Sequence, residues 1–216
     1  MLYAITDRQR LSSNERSARE QLVLDAASWA RSGVAWIQMR EKDLDACAQV
    51  ALARDLLAAI RQQPGSSTRL LMNSRPDVAL AAGADGVHLT SAPDTLTPDE
   101  VRGIYRAAGA PRPWISIACH TPDEAAAARH AGVDCILFAP VFGKSLRTDA
   151  GAEQRLPGAG LEKLAAACHA AAPVPVYALG GVTEQNAAEC LAAGAAGIAA
   201  IRLLQQPPEA WRAFAE

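Results

Sequence analysis

No two cysteines in the 216-residue chain stand at C-x-x-C spacing, which removes zinc knuckles and thioredoxin-type redox motifs. The five present, Cys47, Cys119, Cys135, Cys168 and Cys190, are odd in number and widely spaced, and most of them read as small buried hydrophobes. No basic cluster interleaves with aromatics and the formal net charge is −2, so an electrostatic nucleic-acid surface is not expected. No apolar run reaches the length of a membrane-spanning helix. The start, MLYAITDRQR, is a short apolar run met at once by charge, unlike a signal peptide, and a cytoplasmic protein is expected. Nor does any linker or low-complexity stretch divide the chain. With half its residues hydrophobic and a fifth charged, residues 1–216 have the composition of one globular domain with a sizeable core.

What is present alternates. Short β-like runs fall at Leu2–Ile5, Trp36–Met39, Arg69–Met72, Gly86–Leu89, Trp114–Ala118, Cys135–Ala139, Pro175–Ala178 and Gly197–Ile201. Alanine-rich helical stretches lie near 15–32, 45–62, 76–82, 97–108, 122–130, 160–171, 183–193 and 207–215. Eight evenly spaced β/α units predict a closed (β/α)8 TIM barrel, with an open doubly wound sheet as the alternative. Gly33, Gly83, Gly132 and Gly194 each end a helical run just before an apolar strand, as helix-terminating glycines do. Pro76, Pro98 and Pro122 sit at helix starts, where a missing N–H is harmless. The segment 143–160, GKSLRTDAGAEQRLPGAG, is long for a barrel loop and is a candidate lid.

Polar residues collect at the expected C-terminal strand ends, the face on which such barrels carry their sites. Gln38, Arg40 and Lys42 belong to the phrase WIQMREK, in which a buried strand meets a sudden charge cluster. Asn73 closes the third strand, and His88 lies within the fourth. His120 ends the fifth, just before a Thr-Pro helix start, where a histidine can take up or deliver a proton. Lys144, at the base of the long segment, is placed to meet an anion. Each has a structural alternative: solvated turn charges for Arg40 and Lys42, a helix N-cap for Asn73, a satisfied interior histidine for His88. His130 and His169 fall in helices and read as surface residues.

The stretch PVPVYALGGVTEQNAAECLAAGAAGIAAIR joins the last two strands. Its pair Gly180–Gly181 lets the backbone approach a ligand, and a helix opened by Thr183 would present free N–H groups. That suits phosphate; the alternative is a turn whose glycines only relieve a steric problem. In a barrel this is the usual phosphate position, so Gly180, Gly181, Ile201 and Arg202 are expected to hold one.

The blocks ITDR, IQMREK, LLMNSRPDVALAAGADGVHL, CHTPDEA, ILFAPVF and ALGGVTEQNAAECLAAGAAGIA occur in order. Together they resemble the superfamily of thiamine phosphate synthase and thiazole tautomerase, from Tyr3 to about Leu204. The resemblance implies a barrel, a role in thiamine biosynthesis and a small-molecule thiazole phosphate as ligand. In the synthase branch a pyrimidine diphosphate is joined to a thiazole phosphate, with magnesium and release of diphosphate. In the tautomerase branch a proton moves on a thiazole carboxylate phosphate, with no metal.

The synthase pattern has Asn-Asp-Arg after the third strand, its aspartate a magnesium ligand; this chain has Asn73-Ser74-Arg75. It has Gly-Gln-Glu-Asp after the fourth; here Thr90-Ser91-Ala92-Pro93 stands, with Asp94 one position late. Its Thr-x-Thr-Lys after the sixth is replaced by Gly143-Lys144-Ser145. Magnesium depends on carboxylate oxygens, so these departures favour the tautomerase branch, whose acid/base histidine falls where His120 stands. The expectation is therefore a metal-independent thiazole tautomerase with no cofactor. Arg40 would fork onto the substrate carboxylate and His120 would shuttle the proton, with Gln38, Lys42, Asn73, His88 and Lys144 around the substrate. The alternatives are a synthase with its magnesium site rebuilt on Asp94 and Asn73, and a non-catalytic relative binding thiazole phosphate or thiamine phosphate. A further one is another phosphate-binding barrel such as a sugar-phosphate isomerase, against which the MREK and MNSR blocks argue.

Overall fold

The computed structural model describes residues 1–92, 94–147 and 153–214, with the side chains of 144–147 and 153–156 outside the description. Ten strands lie among the described residues, in chain order. They are β1 (Leu2–Ile5), β2 (Trp36–Met39), β3 (Arg69–Asn73), β4 (Gly86–Leu89), β5 (Trp114–Cys119), β6 (Cys135–Phe138), β7 (Lys144–Arg147), β8 (Glu153–Leu156), β9 (Val176–Leu179) and β10 (Gly197–Ala200). All but β7 and β8 form a closed parallel barrel in the order β1-β10-β9-β6-β5-β4-β3-β2. Closure runs through Leu2 opposite Ile198 and Tyr3 opposite Ala199. The barrel predicted from the alternating pattern is present, and the open sheet is not.

Side chains alternate across each strand, and the two faces meet different partners. Tyr3, Ile5, Trp36, Leu71, Leu137 and Tyr177 fill the barrel interior. Leu2, Ala4, Ile37, Leu70, Ile136 and Ile198 face the helices. Because both faces are buried, the strands read as continuous apolar runs. At the N-terminal mouth the Arg69 guanidinium lies 4.0 Å from the Trp114 ring and 5.6 Å from that of Trp36. These are the first residues of β3, β5 and β2, so the cation and two indoles line that end of the barrel together.

The helices are α1 (Glu15–Arg31), α2 (Ala46–Arg61), α3 (Pro76–Ala82), α4 (Pro98–Ala107), α5 (Pro122–His130), α6 (Gly160–Ala171) and α7 (Ala187–Ala192). Asn14, Asp45, Thr97 and Thr121 cap α1, α2, α4 and α5 through side-chain oxygens. The glycines expected to terminate helices all adopt positive φ, at 79° for Gly33, 73° for Gly83, 65° for Gly132 and 98° for Gly194. None of the helices among the described residues is long and apolar enough to cross a membrane.

Three expectations need correction. The helix expected near 207–215 is, over the described residues, two 3-10 turns, Pro208–Ala210 and Arg212–Phe214, because the Pro207–Pro208 pair does not support an α-helix there. Thr183 does not open α7. The Thr183 amide donates to Asn186 Oδ1, which holds residues 183–186 as a turn and delays the helix to Ala187. The 143–160 segment is not irregular throughout, since β7 and β8 pair antiparallel with Lys144 opposite Leu156.

Candidate functional site

The C-terminal rim is built on hydrogen bonds between neighbouring strands. The Gln38 amide nitrogen donates to Asn73 Oδ1 at 2.8 Å, and Asn73 Nδ2 reaches Ser74 Oγ at 3.4 Å. Gln38 is 2 % exposed, and its Oε1 is a buried acceptor with no partner. Such an oxygen is a costly thing to leave unpaired, and it suits an N–H donor brought by a ligand. Ser74 holds φ at 56°, a left-handed conformation uncommon outside glycine, asparagine and aspartate. Its amide donates to the His88 carbonyl, which fastens the turn after β3 to β4.

The charge cluster after β2 divides. Arg40 and Lys42 are exposed, whereas Glu41 between them is buried. Glu41 accepts from the Thr6 hydroxyl, from the Arg8 amide and from the Arg8 guanidinium at 3.0 Å. Arg8, itself only 3 % exposed, also grips Asp43 and Glu15. Burial alone works against a charged guanidinium, but these three carboxylates raise its pKa, led by Asp43. The Thr6 hydroxyl in turn accepts from the Arg40 amide at 2.9 Å. The ITDR and MREK phrases therefore fold onto each other and fix the backbone that carries Arg40 and Lys42. Sequence reasoning missed Thr6, Arg8 and Glu41; the signal was an acid flanked by two bases in MREK, which reads as solvated unless its distant partner is known.

His88 is buried inside the barrel, where its Nδ1 meets Ser116 Oγ at 2.8 Å and Ser116 meets the Tyr3 hydroxyl at 2.9 Å. Burial, and secondarily the positive charge of Arg40, drive its pKa down to about 3, so the ring is neutral near pH 7. His120 stands at the rim. Its Nε2 meets Ser91 Oγ at 2.7 Å, its Nδ1 meets the Ala139 carbonyl, and its amide donates to Glu124 Oε2 at 2.6 Å.

Two cavities open on the rim. One of about 270 Å³ is lined by Lys42, Asn73, Ser74, Arg75 and Thr90 with Met39, Glu41 and Gln49. The other, about 610 Å³, brings together Gly180, Gly181, Ile201 and Arg202, with Gly143 and residues 182–185. Here the glycine pair answers a real steric demand. A Cβ on Gly180 would lie 2.8 Å from Pro140, one on Gly181 2.7 Å from Phe142 Cβ, and both have positive φ. The turn is thus packed on the segment leaving β6, and the cavity opens beside it. Since α7 begins only at Ala187 and spans six residues, it supplies no helix-terminal phosphate site. Backbone N–H groups of the two turns and the exposed Arg202 side chain are what this cavity can offer a phosphate. Lys144 opens β7, and its side chain lies outside the described residues. Arg40, His88 and His120 line neither cavity.

A metal fits these residues poorly. Among the described residues no three His, Cys, Asp or Glu side chains stand together as a ligand set. The Asn73 oxygen invoked for a rebuilt magnesium site is already taken up by Gln38, and Asp94 lies exposed on the loop after β4.

The thiamine monophosphate synthase family model matches residues 2–204. A putative thiamine-phosphate synthase of Geobacter sulfurreducens is 38 % identical over 209 residues, covering 96 % of this chain and 88 % of the relative. A thiamine-phosphate synthase of Methanoregula boonei is 38 % identical over 174 residues, covering 80 % and 73 %. The thiamine phosphate pyrophosphorylase of Pyrococcus furiosus superposes with a TM-score of 0.73 at 29 % identity, covering all of this chain and 91 % of the other. These findings overturn the expectation of a thiazole tautomerase, an isomerase: the named relatives are synthases, and nothing points to the other branch. The expectation of no metal cofactor loses its support with it. Both rested on substitutions in three loops, where sequence varies most, and magnesium in such chemistry is held largely by substrate phosphates and water.

Proposed function

Because the chain belongs to the thiamine monophosphate synthase family, we propose that it is a thiamine-phosphate synthase, a transferase that joins a pyrimidine diphosphate to a thiazole phosphate and releases diphosphate. The observation that carries this reading is 38 % identity to a putative synthase over nearly the whole of both chains. The thiazole phosphate is assigned to the cavity of Gly180, Gly181, Ile201 and Arg202, whose approximate volume of 610 Å³ accommodates a ligand of that size. The exposed guanidinium of Arg40 and ammonium of Lys42 face solvent on the rim and supply positive charge for the diphosphate as it separates. The unpartnered Gln38 oxygen accepts from the amino group of the pyrimidine, with Asn73 holding the glutamine amide in that orientation. His88, neutral and tied to Ser116, lies inside the barrel, lines neither cavity and brings no charge beneath the rim.

Magnesium is implied by the family, but among the described residues the donors do not form a protein-held site for it. The reading is tested by incubating the purified chain with the two substrates and following thiamine phosphate and diphosphate, at several magnesium concentrations. Stoichiometric appearance of both products is expected. Binding of the thiazole phosphate with no product at any magnesium concentration would overturn it in favour of a non-catalytic relative.

A further inference from the structure

The pair Ser91 and His120 has a geometry that the proposed synthase chemistry leaves unused. Ser91 lies on the loop after β4 and His120 at the exit of β5, and the carbonyl they share a partner with, Ala139, follows β6. These three strands are neighbours in the barrel, which brings the loop after β4 and the residue after β6 to either side of the β5 exit. A carbonyl oxygen only accepts, so His120 Nδ1 must carry a proton to bond Ala139. In the neutral ring Nε2 is then a lone-pair acceptor, and Ser91 Oγ, 2.7 Å away, is the donor. The backbone of His120 is fixed separately. Its amide is bound by Glu124 Oε2 at 2.6 Å, and Thr121 Oγ1 accepts from the Glu124 amide at 3.1 Å. Both Ser91 and His120 are exposed, so an electrophile can reach the hydroxyl.

A serine hydroxyl donating to a histidine whose other nitrogen is anchored is the arrangement that turns a weak nucleophile into an active one. We propose that Ser91 is a nucleophile activated by His120 and reactive toward phosphoryl groups that carry a good leaving group. In the step, Ser91 Oγ bonds to phosphorus and the bond from phosphorus to the leaving group breaks. The hydroxyl proton passes to His120 Nε2, and the imidazolium keeps its Nδ1 proton on the Ala139 carbonyl. The anchor is a neutral carbonyl where a carboxylate stands in the strongest triads, so the imidazolium is stabilised less and a slower nucleophile is expected than in a dedicated serine hydrolase. The inference does not depend on the synthase reading.

The test uses the intact chain and a fluorophosphonate probe, with the site of attachment mapped by peptide mass spectrometry. Attachment at Ser91 with release of fluoride is expected, absent in Ser91→Ala and slowed on the order of 100-fold in His120→Gln, the scale of general-base assistance. No adduct at Ser91, or an equal rate in His120→Gln, overturns the proposal. Should His120→Gln fail to fold, Ser91→Cys gives a second reading in which His120 is retained. Its new thiol is expected to react with iodoacetamide faster than the exposed Cys47, and equal or slower reaction rejects the activated pair. No thiamine precursor enters these assays, so they stand or fall separately from the synthase activity.

Discussion

At the scale of single residues, Gln38 is the most telling. A buried amide oxygen without a partner weakens the empty protein and strengthens a complex that satisfies it. Gln38→Met, which keeps the length of the side chain, is therefore expected to leave the melting temperature within about 4 °C of the parent. It should raise KM for the pyrimidine diphosphate on the order of tenfold, as the loss of one hydrogen bond of about 1.4 kcal/mol does. A lowered melting temperature with unchanged KM would make Gln38 a structural residue only. His88 gives a prediction with a definite sign. Its pKa is lowered from 6.5 to about 3 in the folded protein, so between those values the unfolded chain binds a proton that the folded chain refuses. The contribution of His88 to stability is thus fully present above pH 6.5 and falls, at up to about 1.4 kcal/mol for each pH unit, as the pH drops from 6.5 towards about 3. Urea unfolding at pH 7 and pH 5 reads this directly, and His88→Gln should flatten the decline.

At the scale of elements, the contact between the turns after β1 and β2 decides where two cations stand. Arg8 and Glu41 have side chains 4 % and 2 % exposed, and removing the charge of one buried partner typically costs about 3–5 kcal/mol. Because Arg8 keeps Asp43 and Glu15, Glu41→Gln is expected at the lower end of that range, measured by denaturant unfolding. The Arg40 amide hangs on the same Thr6 hydroxyl, so KM for the diphosphate substrate should rise in parallel. Unchanged stability would show that Asp43 and Glu15 alone neutralise Arg8. Legibility in the sequence follows the same division. Strands such as Gly86–Leu89 and helix ends such as Gly83 were readable because local residues dictate them, through burial on both faces and positive φ. The partnership of Thr6 with Glu41, or of Ser91 with His120, was not readable, since it joins positions 35 and 29 residues apart whose types carry no periodic signal. The hairpin KSLR/EQRL was missed for a related reason: its two short segments are mostly charged and polar and carry no apolar run or alternation.

At the scale of the whole molecule, a closed parallel sheet leaves no edge on which to add function, so the variable chemistry sits in the connections. The family was legible because its blocks run the length of the chain. The branch was not legible because the departures at Ser74, Ala92–Asp94 and Gly143–Ser145 lie in connections, whereas the matching blocks span the common framework. The longest of these connections is tied down at its base. Val141 and Phe142 donate to the carbonyls of Leu179 and Gly180, while Ala159 and Gly160 donate to those of Pro140 and Val141. Gly158 is pressed so closely to Val141 that a Cβ there would come within 2.3 Å of its oxygen. Both feet of the hairpin are thus stitched to the barrel independently of the strands above them, and Lys144 faces Leu156 across the first rung. Replacing residues 144–156 by a two-residue glycine link should preserve a cooperative thermal transition, since no barrel strand or stitch is removed. Other hairpins can then be exchanged on the same two feet, which makes this connection the place where one framework could be refitted for a different substrate.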